Sequence, residues 1–397
     1  MAGALQGIKV LDFTQVYSGP FCTLILKDLG AEIIKVERTG SGDIVRHDAP
    51  LTEGGESGTF IILNRGKKSI TLDIKSEKGR AICLDLATKV DVLVENFSPG
   101  TMDKLGLGSR DLCKLNPRLI YASISAYGQW GPRRDFAGYD PVAQALGGLT
   151  SVSGPPDGPP TKCAVAIADF STGLFTASAI LAALYHRSQT GEGQTIDLSL
   201  QECMWLLTSI EFSPIYFLTG KNPPRLCNGH PAMSPGNLYP AKDGWVIIST
   251  GVLAQVKRLY SVMGREDLFD TPLCANQKTR YQHKDEIDAL VADWTKKQKA
   301  DDIVKALGAV DVPCARVPSF AEVCNDAQLL SRKMIIDVDQ PVSGKVKVPG
   351  SVYKLSKTPG NIGYPAPYLG ENNQEVYSEL LGYSEKYIED LSNTAII

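Results

Sequence analysis

The sequence predicts a mixed α/β fold built on a mostly parallel sheet, and three observations carry that prediction. Strand-like and helix-like stretches alternate from residue 7 to residue 200. Several of the strands, such as Asp91-Val92-Leu93-Val94, lack polar alternation; such strands need cover on both faces, which helices on either side of a parallel sheet provide. The style then changes between Leu238 and about Asn325, where a hairpin signal at Asp243-Gly244 precedes amphipathic helices around 252–263, 283–297 and 299–307. That change marks a smaller α+β domain.

The elements follow in order. Gly7 to Phe13 reads as a first strand, Pro20 opens a helix that stops at Gly30, and Ala31 to Glu37 is a second strand. A Gly-rich turn, 38–43, and a polar loop lead to a strand over Lys68–Ile74, and Ser76 caps a helix reaching about Lys89. A strand over Asp91–Phe97, short helices over Gly100–Leu107 and Ser109–Leu115, and a strand over Leu119–Ala126 continue the pattern. A Gly/Pro-rich loop follows, then an apolar helix from Leu174 to Tyr185, a glycine stop at Gly191 and Gly193, and a strand at 194–198. Glu202–Leu218 is a long apolar helix, and the Pro/Gly/Asn-rich stretch 221–237 reads as a linker or active-site loop. Strand-like pieces return at 338–356, and Asn373–Leu381 is the final helix.

Bulk properties exclude several function classes. The 397 residues carry a net charge of −3, so no nucleic-acid partner is expected. Nine scattered cysteines without CxxC spacing predict reduced thiols rather than zinc ligands, and four histidines without ligand spacing predict no metal site. With no signal segment and no apolar run long enough to span a bilayer, a cytoplasmic protein without a membrane partner is expected. Neither Gly-x-Gly-x-x-Gly after the first strand nor a Walker motif occurs, which disfavours a dinucleotide-dependent dehydrogenase. The turn at 38–43 reads as a plain loop before a phosphate cradle.

Asp169 is the acid that needs an explanation. It sits between an apolar extended piece, Ala164–Ala168, and a buried helix. One reading makes it the helix N-cap. Ser171 and Thr172 could cap equally well, which leaves room for the second reading, a nucleophilic carboxylate with oriented N–H groups nearby.

Several stretches taken together resemble the class III coenzyme A transferases, which include formyl-CoA transferase and carnitine CoA-transferase. They are Gly7–Phe13 with Gly19-Pro20, Leu29-Gly30-Ala31-Glu32 with Ile34–Glu37, and Asn64–Ser69 with Leu72-Asp73. Val94–Phe97 with Pro99-Gly100, Leu115–Tyr121, and the Asp169 segment through Thr190–Gln194 complete the set. The resemblance spans residues 7–205 and weakens after about 220. It implies a Rossmann-like large domain (1–200 plus 330–397), a small domain (225–325), linkers at 201–224 and 326–329, and an interlocked-ring dimer. It also implies a reaction in which CoA passes from an acyl-CoA to a free carboxylic acid through mixed anhydrides and an aspartyl-CoA thioester. Asp169 stands at the nucleophile's position, in a site that must exclude water. No cofactor is expected to stay bound, CoA and acyl-CoA being substrates.

CoA contacts carried over by the resemblance fall at Gln15, Val16, Arg38, Leu72, Lys75, Asn96, Phe97, Ser98, Lys104, Ala137, Tyr139 and Asp140. Arg38, Lys75 and Lys104 supply charge suited to phosphates, Lys104 standing where formyl-CoA transferase has Arg. That enzyme's glycine-only loop has no counterpart here, since Asn228-Gly229-His230-Pro231 and Ser234-Pro235-Gly236-Asn237 occupy its region. A larger acid, such as a succinate or aromatic-succinate derivative, is therefore expected, with succinyl-CoA as donor. The benzylsuccinate CoA-transferases, some built from two related subunits, are one such group, and leave a homodimer and a paralogous heterodimer both open. The α-methylacyl-CoA racemases are the nearest alternative, but they use a His-Asp pair where this chain has Tyr139-Asp140. A CoA-binding subunit without catalysis is the third.

Overall fold

The computed structural model describes residues 3–397. The chain divides into two compact units, one of residues 3–149, 163–208 and 327–397, the other of 150–162 and 209–326.

The first unit contains a six-stranded, all-parallel sheet. Its strands are β1 (Lys9–Asp12), β2 (Glu32–Glu37), β3 (Lys68–Thr71), β4 (Val92–Glu95), β5 (Ile120–Ser125) and β6 (Thr195–Ser199), in the order β3-β2-β1-β4-β5-β6. Helices connect them: α1 (Ser18–Asp28), α2 (Gly58–Asn64), α3 (Glu77–Ala87), α4 (Thr101–Lys104), α5 (Ser109–Leu115), α6 (Asp140–Leu146), α7 (Leu149–Val152) and α8 (Ile167–Thr190). Successive residues of a strand point to opposite faces, so each strand feeds two cores. Val10, Ile33, Val92 and Ile120 pack under α1 and α8, and their neighbours Leu11, Ile34, Leu93 and Tyr121 pack against the other layer. Apolar side chains on both faces are why these strands lack polar alternation.

Most predicted strands and helices are present with ends within three residues of expectation; Ser18–Asp28 and Leu200–Thr219 each start two residues early. The strand-like stretch expected at 338–356 is an antiparallel pair, Ile335–Gln340 and Gly344–Pro349, that stops at 349. Four further expectations are corrected, two of them on α8. The loop read as polar contains α2, whose N-cap Ser57 accepts from Phe60 N. The apolar helix begins at Ile167 rather than Leu174, so Ala164–Ala168 is not an extended strand and Asp169 lies within the first helical turn. Asn373–Leu381 is followed by one more helix, Glu385–Asn393, capped by Ser384. Finally, α8 is long and apolar enough to cross a membrane by length and composition, contrary to the expectation that no apolar run reaches that length. Its buried face, including Ala168, Ala177, Ile180 and Ala183, belongs to the core beneath the sheet.

The C-terminal segment returns to the first unit and covers the sheet's β3 edge. Asn372 and Asn373 side-chain oxygens accept from Ser69 N and Thr71 N, and the Tyr377 hydroxyl donates to Thr71 O at 2.7 Å. The exposed edge thus acquires side-chain partners instead of another strand.

In the second unit, β7 (Gly236–Ala241) and β8 (Gly244–Ser249) form the hairpin expected at Asp243-Gly244, and Cys314–Arg316 adds a third antiparallel strand to β8. Helices Leu253–Val262, Lys284–Thr295 and Ala300–Gly308 pack around this sheet's core. Helix α9 (Leu200–Thr219) runs from the first unit into the second.

Candidate active site

The strand order reverses between β1 and β4, since β1 continues to β2 on one side and β4 to β5 on the other. The carboxyl ends of two such strands open a crevice, the usual ligand position in a doubly wound sheet. Here the crevice is bound by the segment after β1, Gln15-Val16, and the segment after β4, Asn96-Phe97. The Asn96 amide ties them together: Oδ1 accepts from Gln15 N at 2.9 Å, and Nδ2 donates to Gln15 O at 2.8 Å. Val16 has φ 69°, a left-handed conformation unfavourable for a β-branched residue. Such a residue persists only where its surroundings enforce it, at about 1–3 kcal/mol; its N–H donates to Asp43 Oδ1 at 3.3 Å.

Beneath the crevice lies a buried charge network. Lys35 Nζ donates to Asp43 Oδ2 at 2.9 Å and to Thr14 O at 2.7 Å. Lys67 Nζ reaches Asp12 Oδ2 at 3.2 Å, with Thr23 Oγ1, Asn64 Oδ1 and Pro20 O completing its shell. Burial pushes the Lys67 ammonium down to about 8, opposed by Asp12. Burial also works against the Asp12 carboxylate, but Lys67, Lys35 and two hydroxyls outweigh it and hold Asp12 below its ordinary value. The network fixes the base of the Gln15-Val16 turn. It also ties the 38–43 turn inward through Asp43, which accepts from Val16 N and Val45 N, rather than leaving it open as a phosphate cradle.

Asp169 stands at the crevice where α8 meets the start of α1. The two helices approach so closely that a Cβ on Gly173 would come within 2.5 Å of Ser18 O. Burial foremost and then the negative charge of Asp140 push the Asp169 carboxyl up to about 7, with the nearby Ser18 hydroxyl working the other way. Asp169 is not the cap of its helix. Ala166 occupies the N-cap position, and the Asp140 carboxylate, from a different helix, accepts from Ala168 N at 2.8 Å and Asp169 N at 3.4 Å. Ser171 and Thr172 do not cap either; their hydroxyls donate back to Ala168 O. The Asp169 carboxylate is therefore left without a structural duty inside its own helix.

Gln15, Val16, Asn96, Phe97, Tyr139 and Asp169 line one hollow of about 250 Å³. Gln15 and Phe97 also border an adjoining groove of about 430 Å³, where Arg38, Leu72 and Lys75 lie. Asp140 sits behind Asp169, committed to the helix start. Ser98 lines a separate hollow beside Arg134, and Lys104 and Ala137 border none of these three spaces. Sequence reasoning missed Ser18 and Gln144. Ser18 directly precedes the quoted Gly19-Pro20, so its position at a helix start was the available signal. For Gln144 the signal was its spacing of four from Asp140, while its contacts to Cys163 and Val165 cross 19 to 21 residues and left none.

The arrangement offers a desolvated carboxylate at the end of a groove that carries two exposed cations, which suits an acyl-bearing anionic substrate with a reactive carbonyl. Comparison with known proteins points the same way. The family model described as CoA-transferase family III matches residues 5–373. Succinyl-CoA–D-citramalate CoA-transferase of Chloroflexus aurantiacus is 36% identical over 394 residues, covering 99% of this chain and 98% of its own. Succinyl-CoA:glutarate CoA-transferase of Mus musculus is 35% identical over 394 residues, with coverage of 99% and 90%. Among solved structures, a CAIB/BAIF family protein from Brucella suis superposes with a TM-score of 0.84 at 34% identity, over 96% of this chain and 100% of that one. The chain belongs to family III of the CoA-transferases and is an enzyme of that transferase class.

Proposed function

We propose that the enzyme moves CoA from succinyl-CoA to a carboxylic acid, a short dicarboxylate or a substituted succinate, with Asp169 as the covalent carrier. The observation that carries this reading is the Asp169 carboxylate, partly buried beside Ser18 in the hollow at the sheet's switch point and free of any capping duty. The relatives named for succinyl-CoA with D-citramalate and with glutarate support the donor and the acid class.

An Asp169 oxygen attacks the thioester carbonyl, the C–S bond breaks, and CoA leaves as thiolate from a mixed anhydride. The thiolate then attacks the aspartyl carbonyl, which releases succinate and forms an aspartyl-CoA thioester. The acceptor carboxylate attacks that thioester, expelling CoA thiolate and giving a second anhydride. Attack of the thiolate on the acceptor's acyl carbon yields the new acyl-CoA and returns Asp169 as carboxylate. Thioester and anhydride are of comparable energy, so activation is conserved through every step. Exposed Arg38 and Lys75 beside the groove suit the CoA phosphates. The racemase alternative loses ground on geometry as well as sequence, because Asp140 is occupied by two backbone N–H groups and Gln144.

The same reading includes assembly with a second copy or a related chain. Trp205, Leu206, Ile210, Phe217 and Leu218 of α9 are exposed and give that assembly an apolar face. An active monomer in sedimentation at assay concentration would contradict it.

The covalent step is tested by mixing the enzyme with succinyl-CoA without acceptor and quenching in hydroxylamine. Peptide 163–187 should carry a hydroxamate at Asp169. An unmodified peptide from enzyme that still transfers CoA would overturn the proposal.

A further inference from the structure

The segment that delivers Asp169 to the crevice has no regular structure of its own. Residues 164–166 belong to no helix or strand, and their alignment depends on one buried amide. Gln144, on α6, is fully withdrawn from solvent. Its Oε1 accepts from Cys163 N at 2.8 Å, and its Nε2 faces Cys163 O at 3.3 Å and Val165 O at 3.2 Å. The amide thus does for this segment what a neighbouring strand would do. The same Nε2 donates to Asp140 Oδ2 at 2.7 Å, one helical turn earlier. With Oδ2 engaged, Oδ1 is turned toward the start of α8, where it accepts from Ala168 N and Asp169 N. Three acceptors surround Nε2 and one donor faces Oε1, so only one orientation of the amide satisfies the pocket.

We propose that Gln144 is a positioning residue for the reaction, setting the angle of Asp169 by holding both the 163–165 segment and the Asp140 carboxylate that caps the Asp169 helix. This rests on the reading of Asp169 as nucleophile. Gln144 acts through other groups, since it lines neither the hollow nor the groove. Attack on a thioester carbonyl tolerates little misalignment, and a displacement of about 1 Å costs roughly a hundredfold in rate. The titratable side chains facing Asp169 are Asp140 from α6, Tyr17 before α1 and Tyr139 from the preceding loop. Of these, only Asp140 is held by Gln144.

The test compares loading of Asp169 by succinyl-CoA without acceptor, as hydroxamate in peptide 163–187, in wild type, Gln144→Met, Asp140→Asn and the double variant. Gln144→Met should fold, load roughly a hundredfold slower, keep the wild-type KM for succinyl-CoA, and show a loading midpoint moved to lower pH. The double variant should lose less than the product of the two single losses, because both single variants break the shared Gln144–Asp140 contact. Gln144→Glu keeps the side-chain length, guards against collapse of the Met variant, and should also load slowly. Losses that multiply in the double variant, or wild-type loading and midpoint with only a lower melting temperature, would overturn the proposal. Loss of fold in both Gln144 variants would assign the residue to stability and equally overturn it. If wild type itself takes up no label, the nucleophile reading fails first, and this inference with it.

Discussion

Asp12 is fully buried and Asp169 partly buried near the same crevice, and their surroundings differ in what they supply. Asp12 accepts from Thr14 N and two threonine hydroxyls, and lies against the Lys67 ammonium. Burial alone would raise it; its cations and hydroxyls bring it below the ordinary value. Asp169 has burial and a like charge, Asp140, against only the Ser18 hydroxyl nearby, and it is pushed up to about 7. A buried acid given counter-charges becomes an anchor whose lone pairs are consumed. One given burial and a negative neighbour stays basic and keeps its oxygens for a substrate. The difference between structure and chemistry here lies in what the site withholds.

The largest effect should follow from removing the withheld carboxylate. Asp169→Asn is expected to fold and bind CoA, while steady-state transfer falls by several orders of magnitude. Near-normal turnover would make Asp169 as inert as Asp12. Next comes the anchor. Lys67→Met strands Asp12 in the interior and should cost about 3–5 kcal/mol in urea unfolding, with transfer per folded molecule much less affected. A stability change near zero would show that the network is not what fixes the base of the crevice.

Smaller effects should come from the groove. Arg38→Ala and Lys75→Ala are each expected to raise KM for acyl-CoA roughly tenfold, the loss of one charge-assisted contact, with kcat preserved and the defect shrinking at high salt. A fall in kcat instead would place these cations at the chemistry.

The smallest effect is on pH dependence, and the two acids have opposite signs. Asp169, raised in the folded state, binds its proton more tightly than in the unfolded chain. Stability therefore falls as pH rises from about 4 through about 7, and Asp169→Asn should remove that slope. Asp12, lowered in the folded state, adds stability above its unfolded value that is lost as pH falls below about 4. Melting temperatures across that range, wild type against Asp169→Asn, check the first sign; parallel curves would contradict it.

Much of this could be read from the chain. Strands such as β4, apolar on both faces, announced a covered parallel sheet, and the family resemblance singled out Asp169 and the Gln15-Val16 and Asn96-Phe97 segments. The assignment of partners could not be read. Asp140 caps a helix 28 residues away, and Asp12 meets Lys67 across 55 residues; only the folded sheet brings such pairs together. Lys35, in the middle of a strand that read as ordinary, is fully buried, and its partners lie on two separate loops. Asn96 lines the hollow, and its amide pairs with Gln15 across 81 residues, a bond the sequence could not show. Short elements also escaped: α2 was hidden within a polar stretch, and Ser384 marked the last helix with a single cap.

Covalent passage of the substrate through Asp169 is tested most directly by an oxygen label. Acceptor acid labelled with heavy oxygen in both carboxylate positions is turned over once with succinyl-CoA, and peptide 163–187 is weighed. Collapse of the second anhydride leaves the bridging oxygen on the enzyme, so Asp169 should gain one heavy-oxygen atom, with none elsewhere in the peptide. Product formed with no label on Asp169 would mean that CoA passes between the acids without it, and would contradict the account.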